Sequence, residues 1–366
     1  MTRINLPPSP SILVITLRRL GDVLLTTPLI RSLRRAWPDA KIDALVFGDT
    51  VGILEGNPDI DQIVAMPVRP TSTQSLTLAA RLWWRYDLAI STQRGDRPTF
   101  FAAIAGRRCV APVESTFKGR IKRLVLHRVA AEANGVHRVE EMLRIAKALG
   151  IARAPEVVCP RAQSESAPAG DYAVIHASPM FRYKQWIKSG WRELAASLAR
   201  RGLSVIATGS SAEIERNYLD DVWRDTAARR VDGQLSWPQL TALLSQARIY
   251  IGPDTSVTHL AAASGCPTVA IYGPTDPRLW GPWPEGGLDA AWDAAGNIQR
   301  RNNVWLVQNP LPCMPCQLEG CERGLGSYST CLDELRLQQI IAAVDQALGA
   351  FAGLTTHQFP RSGSFC

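Results

Sequence analysis

Asp22 stands where an acid can do chemistry. It follows an apolar run, Ile12 to Thr16, across a short Arg-Arg-Leu-Gly-Asp turn, with Arg18 and Arg19 beside it. Such a run reads as a buried strand, so Asp22 lies at a strand's carboxyl end, where open α/β sheets place their reactive groups. A carboxylate there can take the proton of an attacking hydroxyl as the new bond forms. A second set is Gly252-Pro253-Asp254-Thr255-Ser256-Val257-Thr258-His259. There a strand ends at Asp254 and a helix begins at Thr255 or Ser256, whose unpaired N–H groups suit a diphosphate. Asp254 can orient those groups or cap the helix, and His259 lies one turn in. A third set, His176-Ala177-Ser178 followed by FRYKQW, supplies Lys184 as a mobile cation to neutralise a departing diphosphate, with Ser178 on the same donor side. After the next strand, Glu213 has the placement of a ribose-binding acid. Together the sets describe transfer from a nucleotide-activated donor. The diphosphate lies at the Thr255 helix start and against Lys184, the acceptor faces Asp22, and single displacement inverts the anomeric carbon.

Positioning these residues requires strands and helices in alternation. After the first strand and helix come strands at Lys41 to Phe47, Gln62 to Ala65 and Tyr86 to Thr92, a helix at Leu76 to Trp84, and a fifth strand at RRCVAPV. Alternation of this kind makes a parallel sheet covered on both faces. A helix at Val139 to Leu149 leads into a Pro-, Ser- and Ala-rich stretch, and the pattern restarts at DYAVIHAS. The expected organisation is an acceptor-binding domain over 1–160, a linker over 161–170, and a nucleotide-binding domain over 171–331. A helix over 332–349 packs back on the first domain, and 350–366 forms a tail. The cleft between the domains is the expected active site.

The 366 residues, 46% hydrophobic, suffice for two such cores. Neither GxGxxG nor GxxxxGK[ST] occurs, which disfavours classical dinucleotide and P-loop enzymes. The polar, Pro-rich opening MTRINLPPSP and the lack of a long uncharged apolar window point to a cytoplasmic protein. Lys and Arg total 41 against 33 acids, a net +8, with much of the excess at Arg18, Arg19, Arg31, Arg34, Arg35 and at Lys118, Arg120, Lys122, Arg123, Arg128. Such clusters suit nucleic acid, an anionic membrane or a phosphorylated substrate. In FKGRIKRLVLHRVA the bases alternate with Ile121, Leu124, Val125 and Val129, as in an amphipathic surface helix or an ordinary helix whose solvated face is basic. Asp59-Ile60-Asp61, though an acid-x-acid pattern, lies in a turn context that reads as surface acids. Four of the eight cysteines, Cys313, Cys316, Cys321 and Cys331, have spacings that allow a structural zinc or iron site or reduced thiols.

Three stretches, ITLRRLGDVLLTTPLIRSLRRAWPDAKIDALV, HASPMFRYKQWIKSGWREL and GPDTSVTHLAAASGCPTVAIYGPTDP, resemble the diagnostic regions of the lipopolysaccharide heptosyltransferases, glycosyltransferase family 9. The likeness spans roughly residues 11 to 348, and FGDTVGILEGNPDID and YDLAIST resemble the heptosyltransferase III branch. The resemblance implies the GT-B architecture: two Rossmann-like domains facing a cleft. It implies an ADP-heptose donor, inversion without a catalytic cofactor, and an anionic lipid-linked inner-core acceptor at the cytoplasmic face of the inner membrane, with peripheral membrane contact and no nucleic acid. The family's catalytic aspartate falls on Asp22 and its donor-phosphate lysine on Lys184. Its Asp-Thr/Ser-x-x-x-His motif places Asp254, Thr255, Ser256 and His259 around ADP, and Glu213 resembles its ribose acid. This chain departs from the family at Ser256-Val257, where Gly commonly follows Asp-Thr or Asp-Ser. Cysteine-rich insertions also occur in relatives, including iron-carrying heptosyltransferases that modify adhesins. An adhesin acceptor, another nucleotide sugar, and a nonenzymatic nucleic-acid-binding protein are the alternatives.

Overall fold

The computed structural model describes residues 2–130, 135–161 and 170–352. In chain order the strands are β1 (Ser11–Thr16), β2 (Lys41–Phe47), β3 (Gln62–Met66), β4 (Tyr86–Ser91), β5 (Gly106–Pro112), β6 (Arg128–Ala130), β7 (Tyr172–His176), β8 (Ser204–Thr208), β9 (Arg229–Arg230), β10 (Ile249–Pro253), β11 (Thr268–Ile271), β12 (Ile298–Arg301) and β13 (Val304–Val307). The α-helices are α1 (Leu20–Leu24), α2 (Thr27–Ala36), α3 (Ser72–Leu82), α4 (Asp96–Ala105), α5 (Phe117–Arg123), α6 (Arg138–Leu149), α7 (Lys188–Arg200), α8 (Glu213–Val222), α9 (Trp237–Ser245), α10 (Ser256–Ala263), α11 (Pro277–Trp280), α12 (Thr330–Asp333) and α13 (Leu337–Ala352).

The apolar central strands explain the layering. In β1 every residue after Ser11 is buried, and β10 is buried throughout, so neither can present a polar face to water. Strands β1 to β6 form one parallel sheet in the order β3-β2-β1-β4-β5-β6. Strands β7 to β13 form a second, β12-β13-β11-β10-β7-β8-β9, parallel except for the β12–β13 hairpin. In the first sheet the winding direction reverses between β1 and β4, in the second between β7 and β10. Loops leaving such neighbouring strands diverge and open a crevice at their carboxyl ends. Asp22 follows β1, Ser178 and Lys184 follow β7, and Asp254 follows β10.

The two halves meet through apolar side chains. Val23 and Leu24 of α1 share one buried cluster with Val257, Leu260 and Ala261 of α10. Trp283 Nε1 donates to the Pro155 carbonyl at 2.8 Å, and a His137 ring nitrogen lies 2.8 Å from the Gly281 carbonyl.

The final helix corrects one expectation. It runs Leu337–Ala352 and lies on the second sheet, not the first, with Ile340, Ala343 and Val344 in one cluster with Ile175, Ile271 and Val307. The reason is the hairpin β12–β13, unread in the sequence: it widens the second sheet and adds Trp305 and Val307 to a face that then needs cover. Short elements such as β6 and the two-residue β9 carry too few residues for a period to show. Most of the expected linker, 162–169, and the expected tail, 353–366, lie outside the described residues. Among the described residues no helix is long and apolar enough to cross a membrane.

Candidate functional site

Asp22 enters through a forced turn. β1 ends at Thr16, Arg18 and Arg19 remain extended or irregular, and α1 starts at Leu20, which sets Asp22 in its first turn with only 8% of its surface exposed. Arg138, at the start of α6 and equally buried, brings its Nε to 3.3 Å from Asp22 Oδ1, and Arg18 Nη1 lies at 3.8 Å. Arg138 also bonds Glu141 at 3.0 Å and the Thr92 carbonyl at 3.4 Å. Burial raises the Asp22 pKa above the usual carboxylate range, a rise that Arg138, Arg18 and Arg19 reduce without cancelling. Asp22 Oδ1 and Arg138 Nε, though within ion-pair range, make no hydrogen bond among the described residues. A buried carboxylate that binds its proton more tightly than usual, with an oxygen left unbonded, is suited to accept one. Beside it a cavity of about 330 Å³ is lined by Arg18, Arg94, Arg138, Glu141 and, from the second half, Trp280.

The donor-side residues come together across β7 and β10. Lys184 Nζ lies 2.5 Å from Asp254 Oδ2, and the Thr275 hydroxyl donates to the same oxygen at 2.7 Å. Burial pushes the Asp254 pKa up, but Lys184, His259 and the two hydrogen bonds outweigh it and leave the carboxyl below its ordinary value. Thr255 caps α10, its side chain accepting the Thr258 N–H at 3.4 Å, so of the two starts the sequence allows the helix takes Ser256. His259 is buried, and burial pushes its pKa down to about 4 with Lys184 adding to the effect and Asp254 opposing it. Among the described residues its Nδ1 has no hydrogen-bond partner, a buried polar atom that a ligand would satisfy.

The two sides face each other. A Cβ on Gly21 would stand 3.7 Å from His259 Cδ2 and 3.9 Å from Ser256, so the residue before Asp22 lies against the start of α10. Arg19 stacks over Phe181, 5.1 Å from the ring centroid, which joins the Asp22 turn to the Lys184 loop.

Two expectations meet a different arrangement. Glu213 opens α8 exposed, its side chain in no hydrogen bond or ion pair among the described residues. Glu215, two residues on, accepts hydrogen bonds from the Ser178 hydroxyl and from the Ser210 N–H, the latter at 2.8 Å, because the first turn of α8 folds it back over the β8 loop. The four cysteines do not form a ready ligand set: among the described residues no three His, Cys, Asp or Glu side chains are grouped so as to hold a metal ion. Cys331 is buried in the core, and burial, with the neighbouring Cys316, Cys321 and Cys313, pushes its thiol up to about 12, while Cys313 and Cys321 are exposed. The segment braces the loops that carry Lys184 and Thr275. Ser329 donates to the Tyr183 carbonyl at 2.7 Å, the Gln317 N–H to the Pro274 carbonyl at 2.8 Å, and Trp186 Nε1 to the Leu335 carbonyl at 2.9 Å.

Arg138, Glu141, Thr275 and Glu215 escaped the sequence reading. Arg138 and Glu141 sit in a helix read only for its apolar period, and nothing local shows that the helix start turns toward Asp22. Thr275 lies in the loop after β11, in a stretch whose signal was its family resemblance.

Comparison with known proteins bears on the same residues. Residues 77–288 match the family model described as glycosyltransferase family 9 (heptosyltransferase), a stretch that includes Lys184 and Asp254 to His259 but begins after Asp22. The chain is 28% identical over 302 residues to lipopolysaccharide heptosyltransferase 3 of Escherichia coli (strain K12), covering 76% of this chain and 86% of that protein. Its fold is similar to a family 9 glycosyltransferase from Veillonella parvula, with a TM-score of 0.72 and 17% identity over 93% of this chain and 97% of that one. It is similar to E. coli heptosyltransferase WaaC with ADP, with a TM-score of 0.71 and 20% identity over 92% and 99%. These structural likenesses carry the fold, two Rossmann-like sheets in the GT-B arrangement.

Proposed function

Because the chain belongs to glycosyltransferase family 9, we propose that it transfers heptose from ADP-L-glycero-D-manno-heptose to the inner core of lipopolysaccharide, at the step performed by its heptosyltransferase 3 relative. The observation that carries the reading is the juxtaposition of two buried carboxylates of opposite character. Asp22 has its pKa raised, and Asp254, across the α1–α10 contact, has its pKa lowered beneath a lysine. The ADP named with the structurally similar WaaC supports an adenine nucleotide as the leaving group.

In this mechanism the diphosphate takes the N-terminus of α10 at Thr255 and Ser256, where unpaired N–H groups and the helix dipole favour anions. Lys184, held by Asp254, turns its remaining N–H donors to the phosphates and balances charge as ADP departs. Asp254, held ionised, keeps Lys184 and Thr275 in place, and neutral His259 offers its free Nδ1 edge to the donor. Ser178 and Glu215 present hydroxyl and carboxylate oxygens on the ribose side, a role placed at Glu213 by the sequence. The acceptor hydroxyl loses its proton to Asp22 as it attacks the anomeric carbon from the face opposite ADP, and configuration inverts. Arg18, Arg94 and Arg138 line the acceptor cavity and suit an anionic core oligosaccharide. A lipid-linked acceptor brings the enzyme into peripheral contact with the cytoplasmic leaflet of the inner membrane. Every step is carried by the chain's own side chains and the α10 terminus.

The test is mass spectrometry of products after incubation with ADP-heptose and defined core acceptors, with UDP- and GDP-sugars and an adhesin peptide as parallel arms. A core acceptor heavier by one heptose, with ADP released, is the expected result. Transfer to the peptide alone, or from UDP- or GDP-sugars alone, would overturn the acceptor or donor assignment respectively.

A further inference from the structure

Helix α5 breaks the rule that a surface helix turns its apolar stripe inward. Phe117, Ile121, Leu124 and Val125 fall at i, i+4, i+7 and i+8 along α5 and the turn after it, one face of a helix, and are 75%, 53%, 84% and 52% exposed. The side turned to the protein is Gly119, where an added Cβ would come 1.9 Å from the Glu114 carbonyl oxygen. The helix there lies directly on the turn that leads into it. Lys122 fastens it there, 2.8 Å from Asp96, 3.4 Å from Glu114 and 2.6 Å from the Arg94 carbonyl. On the outer side Lys118, Arg120 and Arg123 are exposed and form no ion pair among the described residues. The other basic cluster behaves differently: Arg31, Arg34 and Arg35 are paired with Asp59, Asp61 and Glu156.

We propose that α5 with the turn Leu124–Leu126 is a docking surface for an anionic lipid bilayer. Cations flanking a rigid apolar stripe match headgroup phosphates above an acyl boundary, each part of the surface meeting its complement. Nucleic acid would engage the cations and leave the stripe in water. The location agrees, because α5 connects β5 to β6, whose ends at Pro112 and Ala130 line the acceptor cavity, and Lys122 holds the backbone of Arg94 in the same wall. A bilayer on α5 would thus present a lipid-linked acceptor at the mouth of that cavity. The orientation rests on the proposed lipid-linked substrate, while the docking itself does not require transfer.

The experiment is cosedimentation of the full chain with vesicles of phosphatidylglycerol and phosphatidylethanolamine, against phosphatidylcholine alone, at low and high salt, with a labelled RNA as a second ligand. The expected result is binding to the anionic vesicles, weakened by salt. Phe117→Ser with Leu124→Ser, and separately Lys118→Glu with Arg123→Glu, should each weaken it at least tenfold while leaving thermal unfolding and transfer to a delipidated core acceptor unchanged. Absence of binding, equal binding by either double variant, or binding of RNA but not of vesicles overturns the proposal. Transfer without vesicle binding sinks the docking surface and spares the function; vesicle binding without transfer does the reverse.

Discussion

Asp22 and Asp254 occupy the same structural place twice. Each follows a central strand of a Rossmann-like sheet at the point where the winding reverses, each is buried, and each has cations near it. Their acidities nevertheless move in opposite directions, Asp22 upward and Asp254 downward. The difference lies in contact quality. Asp254 has Lys184 at 2.5 Å and a Thr275 hydrogen bond on one oxygen, whereas Asp22 has Arg138 at 3.3 Å without a formed hydrogen bond. A strand end at a switch point offers a location for chemistry, and the neighbours decide whether the acid there takes protons or holds cations.

The largest effects should come from removing each charge in turn. Asp22→Asn is expected to lower turnover by about 10²–10⁴-fold while donor binding stays near wild type. Asp254→Asn should release Lys184 and weaken donor binding. Stability should diverge as well. A raised folded-state pKa means that Asp22 is favourable while protonated and loses that contribution as pH rises from the ordinary carboxylate value through the folded one. At neutral pH its charge is therefore a burden, and Asn should leave the unfolding midpoint unchanged or raise it. Asp254, with its pKa lowered, contributes above the ordinary carboxylate value and loses that contribution as pH falls through its folded pKa. Asp254→Asn should cost about 1–3 kcal/mol at neutral pH, the penalty of an unpaired partner, and the gap to wild type should narrow in acid. Thermal unfolding across a pH series reads both; equal destabilisation by the two substitutions would erase the contrast.

A smaller change should sharpen it. Arg138 is the main cation restraining the pKa of Asp22. In Arg138→Gln the carboxyl should bind its proton still more tightly, so the acidic limb of the kcat/KM profile moves to higher pH. Each unit of displacement lowers the rate about tenfold below that limb while the plateau above it survives. Arg138→Lys should restore part of the shift. A profile that drops uniformly at every pH would make Arg138 an acceptor-binding group with no influence on the base.

The legible parts of the molecule were those with a local signature. The strands β1, β7 and β10 are unbroken apolar runs, and the Thr255 cap followed by an Ala-rich helix has its own pattern, so Asp22, Lys184 and Asp254 could be placed at strand ends from the sequence. What escaped depends on contacts between distant residues. Arg138 opens α6 while Asp22 lies in α1, far apart along the chain, and the face of the second sheet that receives α13 exists only once β12 and β13 pair. The cysteine spacing allowed a metal or reduced thiols alike, and spacing does not encode burial: Cys331 lies in the core with Leu332 and Leu335, whereas Cys313 and Cys321 are exposed.

The smallest expected effect concerns a two-residue distinction on the donor side. Both Glu213 and Glu215 lie in the first turn of α8, and helical geometry separates their side chains by roughly 200° around its axis. Only one can face the loop after β8, and the Ser178 and Ser210 hydrogen bonds identify it as Glu215. Glu215→Gln keeps the shape but loses the charge that strengthens these bonds and any to a ribose, so donor KM should rise about tenfold, equivalent to about 1.4 kcal/mol. Glu213→Gln, altering an exposed acid, should stay within about twofold. Donor saturation curves for the two variants decide the matter: a larger rise for Glu213→Gln would mean that α8 turns when the nucleotide binds, and the donor half would then be the less preorganised of the two.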